Sequence, residues 1–138
     1  MKQITNENRV WHLIDLDGLT LGRAATEIAN LLQGKSKIEF VRNADNGDYV
    51  VVINCSKFVI TGNKSDQKMY RKHTGYIGNL KEVSFKELLE KSPDKIVYNA
   101  VYGMLPKNKL RDKMLERLKI YATSEHPHVN IKFEQKGK

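Results

Sequence analysis

Between Thr61 and Lys81, three ring side chains (Tyr70, His73 and Tyr76) are interleaved with the cations Lys64, Lys68, Arg71, Lys72 and Lys81 and with Gly62, Gly75 and Gly78. These residue types at this spacing suit a polyanion that also offers flat faces. Lys and Arg neutralise phosphates and release condensed counterions, a term that dominates nucleic-acid affinity. Tyrosine and histidine rings stack on unpaired bases or on ribose. Glycines, such as Gly75 after His73-Thr74, let a backbone come close and present bare amide donors. The segment holds one acid, Asp66, and has no periodic apolar face. It reads as a long loop, and a loop of this length inside a compact domain is either functional or disordered. A solvated loop with incidental charge is the competing reading, disfavoured because aromatics interleaved with cations are unusual there.

A second window, Gly103-Met104-Leu105-Pro106-Lys107-Asn108-Lys109-Leu110-Arg111, puts a kinked turn in front of a basic helix. Backbone amides at that helix start are expected to meet phosphates, with Lys107 and Lys109 adding charge. Further along, Lys109, Lys113 and Arg117 form a row beside the apolar row Leu110, Met114 and Leu118, so one edge packs while its neighbour is cationic. Taken alone, this window is matched evenly by an ordinary solvated helix face. Together the windows Lys57–Lys81 and Lys107–Lys119 hold twelve basic and three acidic residues, a net +9 against +8 for the whole chain. A cationic footprint on a near-neutral body is what a polyanion binder needs.

Catalytic signatures fail. Gly34-Lys35-Ser36 resembles the end of a phosphate-binding loop, but the required first glycine would stand at Ala29, and the segment follows a helix. Gly75-x-x-Gly78 is too weak for a dinucleotide fingerprint. Asp15 and Asp17 lack a partnered base and read as strand-end and turn residues. No Ser-His-Asp pattern is present. His126-Pro127-His128, with His12, His73 and a single cysteine, does not assemble a complete metal site, so contact to RNA or no role is favoured. The expectation is therefore no catalytic residue, no metal and no cofactor. Cys55 allows no intramolecular disulfide and, following an apolar run, reads as a buried inert thiol. Met1–Asn8 has no apolar core of signal-peptide length, and no stretch approaches a membrane span, which predicts a cytosolic protein.

The elements that must position these residues can be read from periodicity. With 138 residues and 40% hydrophobic content, one domain with a real core is expected. Trp11–Asp15 reads as a strand. Leu21, Ala24, Ala25, Ile28, Leu31 and Leu32 recur at helical spacing, with Thr20 or Asp17 as the start signal and Gly34 as the stop. Asp45–Asp48 reads as a turn leading into Tyr49–Asn54, a β-branched run suited to a strand covered on both faces. Strand, helix and buried strand make a βαβ unit. Phe58–Thr61 reads as a further short strand, and Ser84-Phe85-Lys86-Glu87 as a capping box. Ser92-Pro93 opens another helix with Ile96, Val97, Ala100, Val101 and Met104 on its apolar face, ended by Pro106. Leu118–Ala122 continues as a last strand, and the tail after His128 is expected to be extended or disordered.

These segments carry a resemblance. Leu21-Gly22-Arg23-Ala24-Ala25-Thr26, Gly47–Asn54, Thr61-Gly62-Asn63-Lys64, His73-Thr74-Gly75-Tyr76, Gly103-Met104-Leu105-Pro106-Lys107-Asn108 and His126-Pro127-His128 stand in the order and spacing of the universal large-subunit ribosomal protein family L-thirteen, bacterial type. The chain resembles that family from about Trp11 to His128. The resemblance implies a three-layer α/β/α fold around a small, mainly parallel sheet with long basic extensions. It implies no catalysis, and a structural role in the large ribosomal subunit that includes binding large-subunit rRNA early in assembly. The implied partners are that rRNA and neighbouring large-subunit proteins. It implies no membrane, no small-molecule substrate, and a monomer within the cytoplasmic ribosome. RNA contact is assigned to Lys64, Lys68, Tyr70, Arg71, Lys72, His73, Thr74, Gly75 and Tyr76, and to Lys107, Asn108 and Lys109. Lys81, Arg111, Lys113 and Arg117 join them on charge alone. The chain departs from the family pattern at Arg111-Asp112, where Gly-Arg is usual, at Thr123, and in the ending Asn130–Gln135. A free RNA-binding regulator or assembly factor stands as the alternative, with a small phosphotransferase behind it.

Overall fold

Tyr49–Ile53 is a tyrosine followed by four β-branched residues, a sequence with no side chain to turn toward water. Such a strand is stable only where both faces are covered. In the computed structural model, which describes residues 8–134, this run is strand β2, and Val50, Val51 and Val52 are each 0% exposed. On one side β2 pairs in parallel with β1 (Trp11–Asp15), from Trp11 opposite Tyr49 to Asp15 opposite Ile53. Helix α1 (Leu21–Gln33) connects them, burying Leu21, Ala24, Ala25, Ile28, Leu31 and Leu32 as its spacing predicts. Gly34 closes α1 with φ +77, its amide donating to the carbonyls of Asn30 and Leu31. Thr20 occupies the capping position but its side chain makes no cap bond.

The hairpin-forming segment comes next: α2 (Lys64–Gln67), β3 (Met69–His73) and β4 (Leu80–Ser84). Ser84 then caps α3 (Phe85–Lys91), its hydroxyl accepting from the amide of Glu87 as the capping box requires. Helices α4 (Pro93–Met104) and α5 (Leu110–Glu116) follow, then β5 (Leu118–Ile120) and β6 (Phe133–Glu134). The main sheet has the order β5-β2-β1-β6, parallel throughout. The protein is thus an α/β fold on a small parallel sheet. Helices α1, α3, α4 and α5 share one apolar cluster with Ile14, Val50, Val52 and Leu118 of the sheet. On the alternate positions Trp11 stacks on Tyr49, with ring centroids 4.3 Å apart, and His128 leans on Trp11.

Three expectations are corrected. Thr61–Lys81 is no loop: it holds α2 and most of a two-stranded antiparallel sheet. Its strand period is invisible in the sequence because nearly every position is polar and exposed, and only Tyr70 turns inward against the core. Phe58–Thr61 contributes a single bridge, Val59 to Thr20, rather than a strand. For the tail after His128, the extended alternative holds at its end, where Phe133 and Glu134 pair with Trp11 and His12. Asp45–Asp48 leads into β2 as an irregular and largely buried segment rather than a turn. The reading of Met1–Asn8 falls, apart from Asn8, outside the described residues.

That buried segment locks the sheet to α1. Asp48 accepts from the Val10 amide (3.1 Å), from His12 Nε2 (3.2 Å) and from the Lys37 ammonium, while its own amide donates to the Leu31 carbonyl. Asp45 accepts two 2.7 Å bonds from the Arg117 guanidinium and a longer contact from Arg9. Asn46 donates to the Glu39 carbonyl. Gly47 passes so close to α1 that a Cβ there would lie 1.7 Å from the Leu32 carbonyl oxygen. Gly47→Ala should therefore cost about 2–3 kcal/mol or more in chemical denaturation, since backbone must move to admit the methyl. Burial pushes the Asp48 carboxyl up, but bonds from His12, Lys37 and the Val10 amide, with the Lys37 charge, hold it below its ordinary 3.8. A depressed carboxyl contributes stability that is complete above its ordinary value and is lost as pH falls through the lower folded value. Thermal unfolding should show this loss below about pH 4. Asp48→Asn should remove about 2–3 kcal/mol at neutral pH and flatten that acid limb.

Candidate nucleic-acid interface

A strand carrying Arg71, Lys72 and His73 has no apolar face with which to pack, so it stands off the core and is held by its partner strand. The register sets Met69 opposite Ser84, Tyr70 opposite Val83, Arg71 opposite Glu82, Lys72 opposite Lys81 and His73 opposite Leu80. Tyr70, half-buried among the core residues, is the anchor, and burial pushes its phenol above the ordinary value. Phe85 supplies the other fixed point: its amide donates to the Lys68 carbonyl and its ring meets Phe58 edge-on. The Lys68 ammonium lies 5.4 Å from the Tyr70 ring centroid, a cation–π contact that leaves Lys68 exposed.

The hairpin tip is Thr74–Asn79. Gly75 and Gly78 adopt φ +89 and +77, conformations that favour glycine and permit the tight reversal. The Gly75 amide donates to His73 Nδ1 at 2.9 Å, so the neutral ring carries its proton on Nε2. Tyr76 and Ile77 project almost wholly into solvent. Lys64, Lys68, Arg71, Lys72, His73, Thr74, Gly75, Tyr76 and Lys81 are therefore brought onto one protruding element, with Tyr70 at its base. The local acids are already engaged: Asp66 pairs with Lys86, and Glu82 with Arg71 at 2.8 Å. Lys64, Lys72 and Lys81 keep their charge facing water.

The second window divides. Lys107, Lys109 and Lys113 are exposed. Asn108 is exposed too, but its side-chain oxygen accepts from the Leu110 amide at 3.0 Å and its carbonyl from the Arg111 amide. The amides expected to greet phosphates at the start of α5 are thus partly satisfied within the chain. Arg111 and Arg117 are corrected outright as surface cations. Arg111 is 8% exposed: its guanidinium donates to the Leu105 and Pro106 carbonyls and stacks 4.3 Å from the Tyr102 ring centroid. Arg117 is 5% exposed, spent on Asp45 and on the Leu32 carbonyl. The helix row Lys109-Lys113-Arg117 breaks because α5 ends at Glu116, and the chain turns Arg117 into the interior before β5.

Sequence reasoning also passed over Tyr98 and Tyr102, two stacked and exposed rings one turn apart on α4, beside the basic turn 106–109. Their four-residue spacing was the available signal. His126 and His128 belong to a ring cluster with Tyr121, Trp11 and Phe133. The Tyr121 hydroxyl bonds His128 Nε2 at 2.9 Å, and burial, with the charges of His126 and Lys119, lowers the His128 pKa. Among the described residues no group of three or more His, Cys, Asp or Glu could hold a metal. Burial, with the charge of Asp94, pushes the Cys55 thiol up to about 11, which makes it inert at neutral pH. No helix among the described residues is long and apolar enough to cross a membrane.

Fold and surface together define an α/β protein with buried ion pairs and a protruding cationic, aromatic-bearing hairpin. The family model described as Ribosomal protein L13 matches residues 9–127. The large ribosomal subunit protein uL13 of Clostridioides difficile (strain 630) is 53% identical over 121 residues, covering 88% of this chain and 85% of the relative. The protein of the same name from Alkalilimnicola ehrlichii is 51% identical over the same shares, and that from Nitratidesulfovibrio vulgaris 50% identical over 90% and 86%. The chain belongs to the ribosomal protein L13 family. That family is structural rather than enzymatic, in line with the missing catalytic signatures.

The sorting of cations has a measurable consequence. Arg117→Ala should lower stability by about 3–5 kcal/mol, because it leaves Asp45 buried without its main partner. Lys113→Ala should stay within about 0.5 kcal/mol, as an exposed residue does. Urea denaturation of both variants checks the difference.

Proposed function

We propose that this protein is a structural constituent of the large ribosomal subunit in the cytoplasm, that it binds large-subunit rRNA through the β3–β4 hairpin and residues 107–113 at the start of α5, and that it supports early assembly of the subunit beside neighbouring ribosomal proteins. The observation that carries the reading is the hairpin. Its cations and rings are displayed on an element that the apolar core does not need for burial, while the acids beside it are already paired. Membership in a family whose relatives are named as large-subunit proteins supports the same conclusion. Lys64, Lys68, Arg71, Lys72, Lys81, Lys107, Lys109 and Lys113 supply phosphate contacts, which position the protein without reading sequence. Tyr76 and His73 supply stacking faces for unpaired bases, and Thr74, Gly75 and Asn108 lie within the same two surfaces.

Neutralising about six to eight phosphates predicts that log affinity for single-stranded RNA falls with log salt at a slope near −4 to −6. A slope near −1 would sink the reading. Lys68→Ala, Arg71→Ala and Lys72→Ala combined should weaken RNA binding at least about tenfold while barely changing thermal unfolding, since surface substitutions rarely exceed about 0.5 kcal/mol each. An equal loss of fold stability would instead make the hairpin a structural element. Sedimentation of a tagged chain from lysate tests the cellular role. Near one copy per large subunit after a high-salt wash is expected, whereas a peak in the free fraction would favour a regulator acting off the ribosome.

A further inference from the structure

The antiparallel register places Lys72 directly opposite Lys81. Residues so paired have Cβ atoms about 4.5–5.5 Å apart, and like charges there weaken the pairing. Two neighbouring cations of this element do have partners. Arg71 meets Glu82 one register step away, and Lys68 lies over Tyr70. Strand side chains alternate between faces, so Lys72 and Lys81 share their face with Tyr70 and Val83, whereas Glu82 stands with Arg71 on the other. Among the described residues no acid pairs with Lys72 or Lys81, and both are exposed. The register therefore sets two exposed lysines directly across from each other on one face, with no acid beside them in the ladder to offset their like charge.

We propose that Lys72 and Lys81 form a two-pronged clamp for a single phosphodiester of an RNA strand. A phosphodiester has two non-bridging oxygens that share one negative charge, so each ammonium can donate to one oxygen, and the anion replaces repulsion with attraction across the strands. This assignment rests on the RNA-binding reading and narrows it: the hairpin is tightened by the phosphate it binds, and at this one register pair stability and binding pull in opposite directions. A carboxylate placed there would satisfy the hairpin from within and remove its need for the ligand.

The full-length chain carrying Lys81→Glu, Lys81→Gln or Lys35→Glu tests this. Lys35 is exposed and lies outside both cationic windows, so it controls for the change in net charge. Hydrogen exchange of the β3–β4 amides and affinity for a single-stranded RNA oligonucleotide are read at one ionic strength. Lys81→Glu should raise hairpin protection about two- to fivefold without RNA. It should also weaken RNA binding at least tenfold more than Lys35→Glu, with Lys81→Gln between them. RNA should raise protection of the wild-type hairpin but not of the Lys81→Glu hairpin. Equal RNA affinities for Lys81→Glu and Lys35→Glu, or a loss of protection in Lys81→Glu, overturns the clamp and leaves the RNA-binding reading standing. Equal tightening by inorganic phosphate at matched ionic strength would make it a free-anion site and overturn the assignment to RNA. Failure of the wild-type chain to bind RNA at all overturns both.

Discussion

Asp48 closes its carboxylate over the Val10 amide, the His12 ring and the Lys37 ammonium, and three residues earlier Asp45 takes the Arg117 guanidinium in a two-bond grip. These contacts join the entrance of β1, the end of α1, the start of β2 and the approach to β5 at one buried point. A carboxylate sunk in protein is costly unless charge and hydrogen bonds surround it, and here both are supplied from the entrance of β1, from Lys37 after α1 and from Arg117 before β5. The arrangement also dictates Gly47. With Asp45 and Asp48 both held inward, the chain between them must lie against the Leu32 carbonyl, where no Cβ fits. The parallel sheet supplies the apolar area, but this ionic knot determines how the helix sits on it.

Burial of arginines, in the knot and beside Tyr102, decides which cations remain exposed. Arg9, Arg111 and Arg117 have been drawn inside, where the planar guanidinium serves several carbonyls and, for Arg9 and Arg117, the Asp45 carboxylate as well. Most of the cations left on the two candidate surfaces are lysines: Lys64, Lys68, Lys72 and Lys81 on or beside the hairpin, and Lys107, Lys109 and Lys113 around α5. Lysine is a strongly hydrated point charge on a flexible stem, well suited to phosphate oxygens of varied position and poorly suited to reading a particular base.

The hairpin is nearly independent of that interior. Tyr70 and Phe85 tie its base to the core, and beyond them the two strands depend on each other and on the glycine-bearing tip. Because little burial rests on it, the element can be made of cations and rings without weakening the fold, and it can tolerate a like-charge pair that a core strand could not. It presents Tyr76 and Ile77 at the far end, away from the sheet.

Much of this architecture is legible in the residues themselves. The β-branched run at β2, the helical spacing and glycine stop of α1, the Ser84 capping box and the proline-led α4 each follow from local preference and periodicity, and local preference was enough to place them. The two cationic windows were legible as well, since charge clustering needs no fold to be seen. Three features were decided only in three dimensions. Arg111 and Arg117 look like neighbours of Lys109 and Lys113, yet they are buried, because partners 72 and 85 residues away in sequence, Asp45 and Leu32, wait for Arg117, and Tyr102 waits for Arg111. Strands β3 and β4 have almost no apolar alternation, so their pairing rests on ladder hydrogen bonds that leave no trace in hydropathy. The last strand, Phe133–Glu134, is too short to signal itself and exists because β1 offers an open edge. Composition set how many cations this chain carries, and long-range pairing set which of them stay exposed, because burial is a property of the folded surroundings and not of the residue.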